Sequence, residues 1–149
     1  MSSETSGQAH WLILLGLLLF LLGLLTGLVS PRLANQRMGL AAHVEGVMNG
    51  MFLVVVGLVW PRVALGAVAS LVAFWLIVYG TFANWLATTL SAVWGAGSPM
   101  MPIAGLGMTG SNAQELVIKL LLITLAIAMV AGVAMVIWGL WRAHFEAAR

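Results

Sequence analysis

The fold class this sequence predicts is all-α and integral to the membrane, a bundle of four transmembrane helices. Three observations predict it. Of 149 residues, 62% are hydrophobic and only 7% charged, whereas a soluble domain carries about a quarter charged residues. The apolar residues gather into runs near the roughly 20 that a helix needs to cross the hydrocarbon core. Trp11, Trp60, Trp94, Trp138 and Trp141 stand near the ends of those runs, at the interfacial depth that favours aromatic rings.

The first span is expected over 11–29. Glu4 is the one charged side chain before Trp11, so the basic flank of a cleaved signal is missing, and the run is longer than a signal core; a retained helix is expected. Its Gly16, Gly23 and Gly27 share a face, and Gly23 with Gly27 forms a GxxxG pair suited to close helix contact. A polar loop with Pro31, Arg32, Asn35, Gln36 and Arg37 follows. The second span is expected over about 40–60, ending at Pro61, and the third over about 63–90, long enough to tilt. The stretch 94–114 holds five glycines and two prolines and breaks the helical pattern. Trp94, Met100, Met101 and Met108 make it too apolar for a solvent loop, so a lid packed on the bundle is expected. The fourth span covers about 116–141, with Lys119 placed to snorkel. Arg62, Arg142 and Arg149 fall on one side and Arg32, Arg37 and Lys119 on the other, a balance that assigns no orientation.

Composition excludes several functions. The net charge of +2 comes from six basic against four acidic residues, which is no nucleic-acid surface. No cysteine is present, so disulfides, thiolate metal sites and cysteine nucleophiles are out. Gly105-Leu106-Gly107-Met108-Thr109-Gly110 fits GxGxxG, but no strand precedes it and no acid follows about 20 residues on, so a dinucleotide site has no support. One histidine at membrane depth cannot build a three-ligand zinc centre from a single chain.

What remains is polar chemistry at depth, which is costly and usually has a reason. His43 is the histidine that falls within a span. Gly46 and Gly50 lie three and seven residues on and share its face, a strip that would leave room for something flat. Glu45 and Asn49, four apart, are neighbours on a different face. The competing reading is interfacial hydrogen bonding between helices. A second cluster runs from Tyr79 through Asn84 to Trp85, with Thr88 and Thr89 beyond; Tyr79 could donate a proton and Asn84 orient a substrate, or both could serve helix packing. A single axial histidine on a haem iron with an open sixth position is compatible with one deep imidazole.

The string from Arg37 to Gly50, the Trp60-Pro61 stop, Tyr79-Gly80 through Asn84-Trp85, and Trp94-Gly95-Ala96-Gly97 leading to Met100-Met101-Pro102 together resemble hydroxylaminobenzene mutase. More distantly, Ala42-His43 with Asn49-Gly50 is similar to styrene oxide isomerase. The resemblance implies a membrane isomerase that converts hydroxylaminobenzene to 2-aminophenol, in a homotrimer of four-helix protomers in the cytoplasmic membrane. Through the distant relative it implies ferric haem b as a Lewis acid, with His43 as iron ligand, Gly46 and Gly50 at the porphyrin, and Asn49 in the pocket. Glu45 or Tyr79 would manage protons, and Asn84 would help orient a small aromatic substrate that enters from the lipid. The isomerase's pocket tyrosine falls near Thr88, a departure. The other readings are epoxide isomerisation on the same scaffold, a small transporter or membrane subunit, and a haem electron-transfer subunit.

Overall fold

The computed structural model describes residues 3–147, with side chains over 6–145, so Arg149 lies outside the described residues. Five helices follow in order: α1 (Ser3–Val29), α2 (Gln36–Val59), α3 (Ala67–Trp94), the short α4 (Pro102–Gly105) and α5 (Asn112–Ala147). The four long ones are apolar enough to cross a membrane, and the protein is a multi-pass membrane protein. Tight 3₁₀ turns at Ser30–Arg32 and Trp60–Arg62, each with proline inside its first turn, close α1 and α2. Three of the long helices begin before their expected apolar runs. Hydropathy marks the hydrocarbon slab, while backbone hydrogen bonding carries a helix on through polar flanks such as Gln36 and Arg37. The third starts later than expected because Val63 is extended and Ala64 N–H bonds the Gly139 carbonyl of α5.

The helices pack nearly in chain order: α1 on α2, α2 on α3, α3 on α5, with a narrower contact between α1 and α3. The α1–α2 contact is made backbone to backbone. A Cβ on Gly23 would stand 2.5 Å from Val47 N, and one on Gly46 would stand 2.5 Å from Gly23 Cα. Lipid tails are as apolar as leucine, so helices in a bilayer gain little by hiding leucine from them; close van der Waals approach at small residues does the joining. Leucines therefore sit on the outside of α1, where Leu14, Leu17, Leu21 and Leu28 are exposed. Near the other end of α1, Gln8 Oε1 accepts hydrogen bonds from Trp60 Nε1 (3.0 Å) and Ser70 Oγ (2.7 Å), tying α1 to α3.

The opposite end is closed by the segment between α3 and α5. Gly95, left-handed at φ 60°, stops α3, a conformation that favours glycine. The chain then folds back over the bundle and is held at two points. Asn35, 1% exposed, caps α2 by accepting Met38 N–H at 2.9 Å and donates from Nδ2 to the carbonyls of Ala104 and Gly105, both at 3.1 Å. Glu115 Oε1 accepts from Gly97 N (3.0 Å) and Gly110 N (2.8 Å), clasping both ends of the segment.

Two outcomes follow from these contacts. Gly46→Ala is expected to lower stability by about 1–3 kcal/mol, the usual cost of overpacking, while Gly7→Ala, with nothing within 4 Å of its Cβ, is neutral or slightly stabilising; thermal unfolding in detergent checks both. Asn35→Asp keeps the cap acceptor and loses both donated bonds, so it should leave α2 intact yet speed proteolysis within 98–108; equal proteolysis of the two proteins would refute the anchoring role.

Candidate active site

His43 lies about 10 Å along α2 from Gln36, at a rise of about 1.5 Å per residue. Its Nδ1 is 2.8 Å from the carbonyl oxygen of Gly23 on α1. A carbonyl can only accept, so Nδ1 carries the proton, and in the neutral ring the lone pair belongs to Nε2. Gly27 makes the room: a Cβ there would stand 2.7 Å from Nδ1 and 3.0 Å from Cγ. A backbone carbonyl that takes one ring N–H, fixes the tautomer and raises the basicity of the other nitrogen is the usual support of a metal-bound histidine. Among the described residues no group of three or more His, Cys, Asp or Glu gathers, so the donor set is one imidazole. That suits an axial ligand to a macrocycle-held metal and does not suit a centre built from side chains.

The expectation for Gly46 and Gly50 is corrected. They were expected to leave a flat space beside His43, but α1 fills it. A Cβ on Gly46 would meet Gly23 Cα at 2.5 Å and Trp85 Cδ1 at 2.9 Å, and one on Gly50 would meet Phe20 N at 2.5 Å. These glycines admit a helix backbone. Open apolar room exists farther along, where Leu17, Phe20, Met51, Val54 and Val55 with the edge of Gly50 line an outer groove of about 310 Å³. Gly50 and Val54 are seven and eleven residues from His43, so the groove continues its face of α2.

Two residues beyond His43, about 200° around the helix, Glu45 faces α3. Its Oε2 accepts from Asn84 Nδ2 at 2.6 Å and from Asn49 Nδ2 at 3.2 Å. The structure thus brings together Glu45, Asn49 and Asn84, all half-buried, and sets them on the other edge of α2 from His43. Tyr79 is not among them. Its hydroxyl meets Thr124 Oγ1 of α5, which itself donates to the Leu120 carbonyl at 2.7 Å; Tyr79 is therefore the donor. It lines an outer groove of about 340 Å³ with Trp75, Phe82, Leu86 and Leu121. Thr88, buried, turns its hydroxyl back on the carbonyls of Asn84 and Trp85, so neither position offers a phenol to the cluster.

Sequence reasoning missed one supporting contact. Trp85 Nε1 donates to Thr26 Oγ1 at 3.0 Å, and Thr26 donates to the Leu22 carbonyl at 2.8 Å. Thr26 is 5% exposed and lies one turn from Gly23, so the indole locks α3 to α1 across Gly46. A lone threonine on the glycine face of a leucine-rich span was the available signal.

The family described as styrene oxide isomerase matches residues 8–141. Hydroxylaminobenzene mutase HabB of Ectopseudomonas oleovorans is 54% identical over 138 residues, covering 93% of this chain and 84% of the relative. Hydroxylaminobenzene mutase HabA of the same organism is 45% identical over 127 residues, covering 85% and 94%. No solved structure matches. With one deep imidazole held by a neighbouring helix, an amide–carboxylate cluster on the opposite edge of the same helix, and likeness along nearly its whole length, the chain belongs to the styrene oxide isomerase family and is a membrane isomerase.

Proposed function

We propose that the chain rearranges an N-arylhydroxylamine, hydroxylaminobenzene in the simplest case, to the 2-aminophenol. The observation that carries this is its identity to two mutases named for that substrate, over most of each relative. The reaction is an isomerisation. The N–O bond breaks, a C–O bond forms at the ortho carbon, that carbon loses a proton and the nitrogen gains one. No electron donor or cosubstrate enters.

Ferric haem b is the proposed cofactor, and His43 fits it: Nδ1 is committed to Gly23, and the apolar groove of Leu17, Phe20 and Val54 lies along the same face. Nε2 would hold the iron, and bound there the haem supplies a Lewis acid to polarise the substrate's N–O bond. The remaining roles fall to the chain. Asn49 and Asn84 orient the hydroxylamine, and Glu45, the titratable member of their cluster, carries the proton from ring carbon to nitrogen. Tyr79 serves the α3–α5 contact in this reading. His43 and Glu45 face opposite edges of α2, so a site that uses both draws them from two copies of the chain; this supports an oligomer, and the assembly we propose is the homotrimer that the resemblance implies, in the cytoplasmic membrane. The substrate, small and aromatic, enters from the lipid.

Epoxide isomerisation is the second reading, favoured by the family description itself. Turnover of phenylhydroxylamine and of styrene oxide by detergent-purified protein separates the two, and dominant epoxide turnover would replace the first reading with the second. The wild type is expected to show a Soret band that His43→Ala loses or shifts, with loss of activity. Gly27→Ala, which leaves the ligand in place and pushes on its ring, should weaken haem binding by about 10–100-fold, the usual effect of disturbing a ligand's support. Colourless wild-type protein that still rearranged phenylhydroxylamine would sink the haem assignment and keep the mutase.

A further inference from the structure

Asparagine amides are two-ended. Each carries a donor –NH₂ and an acceptor carbonyl, and the end that meets a bound molecule depends on what takes the other. In the α2–α3 cluster one atom decides this for both amides: Glu45 Oε2, which takes Asn84 Nδ2 at 2.6 Å and Asn49 Nδ2 at 3.2 Å. Both amides approach this oxygen by their nitrogens, which donate, while the carboxyl oxygen accepts. Each Oδ1 is then the end not committed to Glu45. The three side chains stay half-buried, so the cluster is not sealed inside the protein.

We infer that Glu45 sets the substrate preference of this site. By holding both amides nitrogen-inward it turns two carbonyl oxygens to the bound molecule, and the cluster selects aromatic compounds that donate N–H or O–H bonds over those that only accept. An arylhydroxylamine offers both donors. An epoxide offers a lone oxygen, which would face two acceptors and leave them unpaired. A site built to bond a substrate's N–H or O–H discriminates strongly against an analogue without it, because the site's own polar groups go unsatisfied. Glu45 acts here through the asparagines and is a positioning residue for recognition, whatever it does with the proton. The inference rests on the reading of the cluster as the substrate-binding part of the isomerase site.

The test uses two inert isomers of equal size, benzyl alcohol (a donor) and anisole (acceptor only). Their dissociation constants are measured by calorimetry on the full chain in nanodiscs and corrected for partition into empty nanodiscs. Wild type is expected to favour benzyl alcohol by on the order of tenfold, the effect of one well-made hydrogen bond. In Glu45→Ala the amides are free to turn, and the ratio should fall toward one. In Glu45→Gln it should persist, because the glutamine Oε1 accepts from both amides, even as phenylhydroxylamine turnover collapses for want of a proton carrier. If Glu45→Ala does not fold, Asn84→Leu replaces it and should reduce the ratio in the same direction by removing one acceptor. A wild-type ratio near one, absence of binding by either probe, or an unchanged ratio in a folded Glu45→Ala or Asn84→Leu overturns the inference. Turnover of phenylhydroxylamine in the same nanodiscs keeps the two readings apart. Its absence from wild type defeats the mutase assignment while the ratio still decides on Glu45; intact turnover with a flat ratio defeats the Glu45 inference alone.

Discussion

The contact between the backbones of α1 and α2 at Gly23 and Gly46 is the constraint on which the rest of the site depends. A Cβ on Gly46 would stand only 2.5 Å from Gly23 Cα, so the two helices lie as close as their main chains allow. Only at that separation can an imidazole on α2 reach a main-chain carbonyl of α1. Within α1 that carbonyl already serves the helix ladder, and its second lone pair is available to His43. One turn later Gly27 has no side chain to block the ring. The GxxxG pair is thus a packing device that also positions the His43 ring, and Trp85, bonded to Thr26 across Gly46, brings α3 into the same arrangement.

The carboxyl group at membrane depth is met by dipoles here. Among the described residues Glu45 is bonded to two amides, with no arginine or lysine opposite. An ion pair would satisfy the carboxylate and bring a second charge into lipid, with desolvation costs for each. Amides give up N–H bonds without that second charge and keep a carbonyl to use elsewhere. The lid end follows the same principle: Glu115 Oε1 takes two backbone N–H groups of a glycine-rich segment that has no helix ladder to satisfy them.

Much of this was legible in the sequence, unevenly. The four spans were readable because hydropathy reports a slab of fixed thickness, and their ends were not, because hydrogen bonding carries a helix past the slab. The Glu45–Asn49 pair followed from four-residue spacing, but its closure by Asn84, 39 residues on, is a tertiary fact. Gly46 and Gly50 show where sequence reasoning has no purchase: a strip without side chains fits a flat cofactor and a second helix equally well, and only the partner's placement tells which fills it. Asn35 had a readable half, the cap acceptor before a helix start, and an unreadable half, its hold on carbonyls about seventy residues away.

The two edges of α2 differ in a way that connects these points. Toward α1 the helix presents glycine and one imidazole, a surface that a second backbone approaches closely. Toward α3 it presents a carboxylate and an amide, a surface that orders small polar groups. In the proposed reaction the two edges would have separate tasks, the imidazole edge holding an electrophile and the amide edge orienting the substrate. Two residues of helix, His43 and Glu45, cannot turn both toward one point, since about 200° separates them. On the proposed mechanism, the same helix in a second copy of the chain would present the other edge.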